Sequence, residues 1–313
     1  MTKIADFLEL PKKDSCKHLS TGMSYPVFTH WAGFLIPDFS DGIKAGSAEY
    51  MSLKKNISAY TKERMGSAHD ILLLFCHAIS ASVSENVKNL NGSLSIEYLS
   101  QCKNAAEFLD IIIQAKEKYA DKINFRPFLG IDSDNENNIP LANMLLESGL
   151  FAGIDLYGKA FVENPEKFLS IFNSAHKLNM ESRISCQGLK DLQSRDELFE
   201  LMLNFRPSHL MNPNIGVCND KLKIFNNGKL YPEIVDFIHD NNIHIEFSPA
   251  PMLSERNAEK KVWAIREFAE NDIDFSLCTE DVLFYGKSIS SFSVDLCNMG
   301  VFTKEELEKI ISC

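Results

Sequence analysis

The sequence lacks a long hydrophobic run and has few basic residues relative to acidic ones. Its longest apolar stretch, ILLLFCHAISA at residues 71–81, is well short of the roughly 20 residues that a membrane-spanning helix needs. The opening MTKIADFLELPKK has too short an apolar run for a secretory signal. With 32 Lys and Arg against 43 Asp and Glu, the formal net charge is -11. Because nucleic acids and anionic membranes are bound by concentrated positive charge, we expect neither as a partner.

Several common catalytic and nucleotide-binding motifs are also missing. The chain has no Gly-rich dinucleotide loop, no phosphate-binding P-loop and no GxSxG nucleophile turn. Its 8 cysteines are scattered and none forms a CxxC pair, so the pattern indicates neither a disulfide framework nor a thioredoxin-type motif. We therefore expect a reduced, soluble, cytoplasmic protein.

What the sequence does contain is a regular alternation of short apolar runs and amphipathic segments. The runs predict eight strands, at residues 13–19, 93–99, 124–131, 151–158, 182–188, 207–213, 243–251 and 274–281. Helices are predicted between them at 66–89, 104–120, 164–179, 194–204, 231–241 and 255–270. Such alternation indicates a parallel sheet, and eight units in 313 residues fit a closed barrel better than an open sheet. We expect an α/β fold with one (β/α)8 TIM-barrel domain over residues 1–313.

Catalytic residues of such barrels lie at the C-terminal ends of the strands. At these ends the sequence places groups that bind metals or carry protons: Cys16 and His18, Asp155 to Gly158, Ser185 to Leu189, His209 to Pro213, Glu246 to Pro249, and Thr279 to Asp281. Cys16 and His18 are two residues apart, so on a strand their side chains face the same way.

Four of the strand segments resemble the adenosine deaminase family, in the same order and with similar spacing. LPKKDSCKHLSTG at 10–22 is similar to that family's LPKxELHxHLDG, and FAGIDLYG at 151–158 is similar to its GxDLAG. IHIEFSPAP at 243–251 resembles EVCPxSN, and FSLCTED at 275–281 resembles SLNTDDP. The resemblance covers essentially the whole chain. It implies a metal-dependent hydrolase barrel of the amidohydrolase type.

The resemblance also implies a metal site. In that family two His on the first strand, a His on the fifth and an Asp on the eighth hold zinc. The matching positions here are Cys16, His18, Cys186 and Glu280. Thiolate, imidazole and carboxylate groups suit zinc or another divalent transition metal. We therefore expect such a cofactor, held by a remodelled ligand set.

Other positions of the family's site are matched only in part. Gly158 and Asp281 match positions that contact the purine, and Ser20 replaces an Asp that addresses the sugar. These three residues are the candidates for binding a purine-nucleoside-like ligand. The candidate catalytic residues are Asp281, Asn212 and Cys186, the last of which also stands at a ligand position.

Two proton-transfer positions depart from the family. Leu189 stands where a Glu protonates the purine ring, and Asn212 stands where a His helps to activate water. Neither side chain transfers protons near neutral pH, and the loss of one such group typically costs ~10²–10⁴-fold in rate. Ordinary adenosine deamination is therefore not expected.

Several hypotheses stay open at this point. The first is a diverged enzyme that acts on a purine-nucleoside-like or other small heteroaromatic substrate, and the four ligand-type residues favour it. The second is a metal-free site in which Cys16 or Cys186 is a nucleophile whose pKa His18 lowers. The third is a non-catalytic protein that binds a nucleoside-like ligand in the pocket. Both cysteines could also be simple core residues. The sequence does not fix the substrate, the metal or the oligomeric state.

Overall fold

The computed structural model describes residues 2–33, 48–186, 194–212, 225–226, 228–253 and 258–312. The strands in these residues are β1 Lys12–His18, β2 Val87–Ser95, β3 Asn124–Asp132, β4 Gly153–Tyr157, β5 Glu181–Ser185, β6 His209–Met211, β7 Phe225–Asn226, β8 Lys229–Leu230, β9 His244–Phe247 and β10 Phe275–Leu277. Strands β7 and β8 form a small antiparallel hairpin. The sequence did not predict this hairpin.

The other eight strands form one sheet in the order β1-β2-β3-β4-β5-β6-β9-β10, and every neighbouring pair is parallel. The two edges of this sheet meet just beyond the end of β10. There the Glu280 N–H donates to the Cys16 carbonyl at 2.9 Å, and the His18 N–H donates to the Glu280 carbonyl at 3.0 Å. The sheet is therefore a nearly closed barrel, which confirms the predicted (β/α)8 fold.

Helices connect the strands and cover the barrel. Within the described residues the α-helices are α1 Ala5–Leu8, α2 Tyr25–Ala32, α3 Ala48–Arg64, α4 Ala68–Ser84, α5 Ala105–Lys118, α6 Asn138–Leu146, α7 Ala160–Glu163, α8 Leu169–Lys177, α9 Arg195–Phe205, α10 Pro232–Asp240, α11 Pro249–Leu253, α12 Ala258–Glu270, α13 Val282–Tyr285, α14 Ile289–Asn298 and α15 Lys304–Ile311. None of the helices described here is both long enough and apolar enough to span a bilayer.

Side-chain caps mark two of the helix starts that the sequence predicted. The Asn104 side chain accepts a hydrogen bond from the Glu107 N–H before α5, and the Ser194 side chain accepts one from the Glu197 N–H before α9. Such caps satisfy backbone donors that the first helical turn leaves unpaired. Helix α5 buries Phe108 and its neighbours at three-to-four spacing against the barrel, as its amphipathic pattern predicts.

The second strand begins earlier than the sequence predicted. Residues 93–99 were expected as the strand and 66–89 as the helix before it, whereas the structure ends α4 at Ser84 and begins β2 at Val87. The Ser95 hydroxyl accepts a hydrogen bond from the Glu97 N–H, and this contact starts a 3₁₀ helix at Ile96–Gln101. The polar run VKNLNG lacks a strand-like alternation but pairs with strands on both sides.

The predicted helix at 164–179 is divided in the structure. A 3₁₀ turn at Pro165–Lys167 is followed by the regular helix α8, and the Asn164 side chain makes no cap hydrogen bond. The proline begins a helical turn as expected, but residue Phe168 separates that turn from α8.

A buried carboxylate ties the first strand to the segment after the last one. Asp14 is fully buried and accepts hydrogen bonds from the Thr279 N–H at 3.0 Å and the Thr279 hydroxyl at 2.6 Å. Because buried polar groups are costly to leave unpaired, this contact helps to hold the barrel closed.

We expect Thr279→Val to lower the free energy of unfolding by about 1–3 kcal/mol, because the Asp14 carboxylate loses a donor that no water replaces. Urea denaturation measures this change. The control is Thr61→Val, since the buried Thr61 hydroxyl donates only to the Ile57 carbonyl within its own helix, at 2.7 Å. That control should cost less than about 1 kcal/mol. Equal losses in the two variants would contradict a special role for the Asp14–Thr279 contact.

Candidate functional site

The C-terminal ends of the barrel strands open into a cavity of about 910 Å³. This volume lies in the range of small-molecule sites, roughly 300–1,000 Å³. Five predicted site residues line it: His18, Ser20, Gly158, Glu280 and Asp281. The other predicted residues that the structure describes, Cys16, Cys186 and Asn212, lie behind this lining, and Leu189 is outside the described residues.

An ion-pair group surrounds the Asp281 carboxylate on one side of the cavity. His18 Nδ1 lies 3.0 Å from Asp281 Oδ1, the Thr21 hydroxyl donates to the same oxygen, and Lys54 Nζ lies 3.3 Å from Asp281 Oδ2. Burial raises the pKa of Asp281, but the charges of Lys54 and His18 lower that pKa further, well below its usual range. Asp281 is therefore ionised at neutral pH and holds the His18 ring by its Nδ1–H.

The opposite nitrogen of His18 faces a second carboxylate. His18 Nε2 lies 4.0 Å from Asp155 Oδ2, and the Asp155 side chain is fully buried. Neither His18 Nε2 nor either oxygen of Asp155 has a hydrogen-bond partner within the described residues. Since buried polar atoms are normally paired, three unpaired ones facing each other need an explanation.

The Cys16 thiol completes this group. Cys16, His18 and Asp155 each offer one ligand atom, and these atoms lie within 4.8 Å of one another. Sulfur, nitrogen and oxygen ligands at such spacing fit a tetrahedral divalent ion such as zinc. The hydrogen bond from His18 Nδ1 to Asp281 is the outer contact that commonly orients a metal-binding histidine. The residues present therefore fit a metal ion.

Glu280 and Asn212 form a neighbouring pair. The Asn212 amide donates from Nδ2 to Glu280 Oε2 at 3.1 Å, and its Oδ1 accepts from the Ser248 N–H at 2.7 Å. Both ends of the amide are thus used to position Glu280. Burial and then repulsion from Asp281 raise the pKa of Glu280. Glu280 also forms a ligand-type group with His18 and Asp281, so it stands within reach of a metal at His18.

Cys186 lies apart from these groups. Its side chain packs in the main hydrophobic core, whereas its neighbour Ser185 lines the cavity. The clusters of potential metal ligands found in the described residues do not include Cys186. The structure therefore does not bring Cys186 together with Cys16, His18 and Glu280.

The thiol pKa values argue against a cysteine nucleophile. Burial raises the pKa of Cys186, and hydrogen bonding to Cys278 together with burial raises the pKa of Cys16. A nucleophilic cysteine needs a lowered pKa, so that thiolate is present at neutral pH. The hypothesis of a metal-free thiol nucleophile activated by His18 therefore lacks the condition it requires.

Gly158 shapes the cavity wall after β4. Its φ of +88° lies in the left-handed region, and a Cβ atom there would stand 2.6 Å from the Ser133 hydroxyl and 2.7 Å from an Asp132 carboxylate oxygen. Both the backbone conformation and the space thus require glycine at this position. The match to the family's purine-contacting glycine is consistent with this role.

The buried guanidinium of Arg183 pairs with two carboxylates next to the site. Arg183 is fully buried, with Nε 2.5 Å from Glu246 Oε2 and Nη1 3.7 Å from Asp155 Oδ2, and it donates to the Ser15 carbonyl at 2.6 Å. Burial raises the pKa of Glu246, but Arg183 and His209 outweigh burial and lower that pKa to about 2. The charged pair is therefore present at neutral pH. The sequence analysis did not identify Arg183.

A third ligand-type group, at the opposite end of the barrel, consists of His209, His244 and Glu246. His209 lies between two carboxylates, with Nδ1 3.3 Å from Glu246 Oε1 and Nε2 3.3 Å from Glu181 Oε2. Burial lowers the pKa of His209, but hydrogen bonds to Glu181 and Glu246 raise it above its usual value. Ion pairs between a charged His209 and the two carboxylates account for this group.

The chain is similar in sequence to a known protein. No protein-family model matches the chain. A curated protein of Treponema pallidum (strain Nichols), named "Putative adenosine/adenine deaminase", is 25% identical over 317 residues, which cover 100% of this chain and 99% of that protein.

Two solved structures share the fold. An amidohydrolase from Burkholderia ambifaria with bound zinc has a TM-score of 0.72 and 13% identity, over 99% of this chain and 86% of its own. The N6-methyl-AMP deaminase from Arabidopsis thaliana has a TM-score of 0.73 and 16% identity, over 97% of this chain and 90% of its own.

The resemblance to the adenosine deaminase family that the strand motifs predicted is confirmed over the whole chain. The related proteins are named as deaminases and as an amidohydrolase, so the non-catalytic alternative is not favoured. The ligand-type groups described above are of the kind that the expected metal cofactor requires.

The Arg183–Glu246 pair predicts a pH-dependent effect of Glu246→Gln. The variant leaves a buried cation without its counter-charge, so we expect a loss of about 3–5 kcal/mol in the free energy of unfolding at neutral pH. The pKa of Glu246 falls from 4.5 to about 2 on folding. Its stabilising effect is thus complete above pH 4.5 and is lost as the pH falls towards 2.

Urea denaturation of both proteins between neutral pH and about pH 3 measures this difference. Glu270→Gln is the control, because Glu270 pairs with Lys229 at the surface, where water and salt screen the ion pair. A difference between wild type and Glu246→Gln that does not shrink with falling pH would contradict the assignment.

Proposed function

We propose, from the confirmed resemblance to the adenosine deaminase family, that the protein is a metal-dependent hydrolase acting on a purine-nucleoside-like or purine-nucleotide-like substrate. One observation carries the proposal: ligand atoms of Cys16, His18 and Asp155 lie within 4.8 Å of one another beside the cavity that His18 lines, and His18 Nε2 and both Asp155 oxygens form no hydrogen bond within the described residues. The names of the related proteins support the substrate class. The reaction we propose is not ordinary adenosine deamination.

His18 through Nε2, Cys16 through its thiolate and Asp155 through a carboxylate oxygen would hold the metal, with Glu280 as a further ligand within reach. The family-implied ligand Cys186 lies in the core, so this site does not depend on it. A zinc-type ion supplies a Lewis acid that lowers the pKa of water to near neutral. The hydrogen bond between His18 Nδ1 and Asp281 orients the ring so that Nε2 faces Asp155. Burial lowers the pKa of His18, but Asp281, Glu280 and Asp155 raise it to about 9, so an ion would have to displace the proton on Nε2.

The remaining cavity residues suit a sugar-bearing heteroaromatic ligand. The rings of Tyr98, Tyr157 and Phe284 line the cavity and offer apolar faces to a purine ring. Serine hydroxyls, which both donate and accept hydrogen bonds, match the hydroxyls of a ribose; those in the lining are Ser20, Ser58, Ser93, Ser95, Ser100 and Ser185. The ionised Asp281 offers an acceptor for a ring or amino N–H beside Gly158.

Elemental analysis of protein purified without chelator tests the metal site. We expect about one equivalent of zinc or another divalent transition metal per chain, reduced at least tenfold in His18→Ala and Asp155→Asn. Cys186→Ser is the control and should keep its metal, because Cys186 lies outside the ligand group. Hydrolytic turnover of purine nucleosides or nucleotides, followed by chromatography of the products, should disappear with chelator and return with metal. A wild-type protein that binds no transition metal after incubation with zinc would overturn the proposal.

Ligand-induced thermal shifts test the substrate class. A purine ligand at about 100 times its Kd stabilises the folded protein by roughly 2.7 kcal/mol and raises its Tm. Gly158→Ala should abolish this shift, because its methyl group would strain the backbone and displace Ser133 at the cavity wall.

Gly149→Ala is the matched control for this test. Gly149 also has a positive φ, of +68°, but no atom lies within 4 Å of the Cβ position. This variant should lose stability yet keep the ligand shift. The absence of a shift with any purine nucleoside or nucleotide in the wild type would contradict the proposed substrate class.

A further inference from the structure

Three sulfur-containing side chains form a small buried cluster of their own at the ends of β1, β6 and β10. Cys16, Met211 and Cys278 are at most 1% exposed and pack together separately from the main hydrophobic core. Cys16 Sγ lies 2.9 Å from Met211 Sδ, and Cys278 packs in the same cluster. Both cysteines are free. Cys278 has no part in the proposed hydrolase site, and Met211 lines its cavity without belonging to the proposed ligand set.

Thiolate and thioether groups are soft ligands, and together they select Cu(I) over harder divalent ions. We propose that Cys16, Cys278 and Met211 form a binding site for a thiophilic d¹⁰ cation of the Cu(I) type. This inference goes beyond the proposed function, with which it shares Cys16 alone. The Cys16 thiol belongs to both groups: it packs with Met211 and Cys278, and it lies within ligand distance of His18 and Asp155.

The ion would enter through the substrate cavity. Met211 lines that cavity beside Ser185 and His18, so its thioether is the sulfur nearest to solvent. Metal–sulfur bonds of about 2.3 Å in a trigonal site place the sulfurs roughly 4 Å apart, so the Cys16–Met211 distance must increase by about 1 Å. Methionine has three rotatable side-chain bonds, and the cavity gives it room to move.

The charge balance also permits such an ion. The ion would displace the protons of both thiols on binding. Two thiolates and a monovalent cation leave one negative charge, which the fully buried Arg183 guanidinium, also paired with Glu246 and Asp155, partly offsets.

The test is an anaerobic Cu(I) titration against a chromogenic chelator, with thiolate-to-copper absorption in the ultraviolet as a second signal. We expect one Cu(I) per chain, with affinity weakened about 100-fold or more in Cys278→Ser and Met211→Leu. His18→Ala and Asp155→Asn should leave Cu(I) affinity unchanged. Cys186→Ser is the matched control, since Cys186 is a buried thiol outside the cluster.

Zinc titration of the same variants separates the two proposals. Cu(I) binding that survives His18→Ala while zinc binding is lost supports the sulfur site. Cu(I) binding that requires His18 but tolerates Cys278→Ser overturns the sulfur site and leaves the proposed hydrolase intact. If the protein binds zinc but not Cu(I), the sulfur site is overturned and the proposed hydrolase stands. If it binds neither ion, both proposals are overturned. Met211→Leu conserves volume, so it keeps the test valid if Cys278→Ser fails to fold.

Discussion

The buried guanidinium of Arg183 is the contact on which the arrangement of the site depends. From β5 it reaches Glu246 on β9, the Ser15 carbonyl on β1 and Asp155 on β4. Its Cζ atom lies 4.3 Å from the centre of the Phe128 ring on β3. A buried ion pair of this kind is often no more stable than a well-packed apolar one, whereas breaking it is costly. Here the Arg183 guanidinium helps to fix the position of the Asp155 carboxylate, 4.0 Å from His18 Nε2.

The backbone hydrogen bonds that close the barrel also bring the ligand-type residues together. The Glu280 backbone hydrogen-bonds to Cys16 and His18, so the contact that joins the last strand to the first also sets the spacing of three ligand-type residues. Glu280 and Asn212 both have positive φ, at 52° and 54°, and their side chains are hydrogen-bonded to each other. Such strained non-glycine backbone persists where surrounding contacts over-determine it, which is common at functional sites.

The barrel was predictable because each strand and helix carries its own pattern, but the site depends on distant partners. His18 and Asp281 are separated by 263 positions and Arg183 and Glu246 by 63, and no local pattern reports such contacts. Lys54 reaches Asp281 from α3, where nothing in the sequence marks it. Asp155 stood in a recognised motif, but its unpaired oxygens became visible only with the fold.

Cys186 shows how a motif match and elementary geometry can disagree. Alternation along β5 places Arg183 and Ser185 on one face, and Cys186 follows the last residue of the strand. Arg183 and Ser185 do face the barrel interior, and Cys186 packs in the core. The period of two was legible in the sequence, whereas the position of a residue beyond the strand end was not.

The replacement of a first-strand histidine by Cys16 changes the chemistry on both sides of that residue. Toward His18 and Asp155 the thiol completes a mixed sulfur, nitrogen and oxygen set, and toward Cys278 and Met211 it completes an all-sulfur set. One thiolate shared between two sets makes an ion in one set compete with an ion in the other. Softness of the ligands then decides the outcome, because zinc accepts imidazole and carboxylate whereas Cu(I) prefers sulfur. Under these two proposals, the metal content of the barrel would depend on which ion is available, a dependence that a histidine at residue 16 would not create.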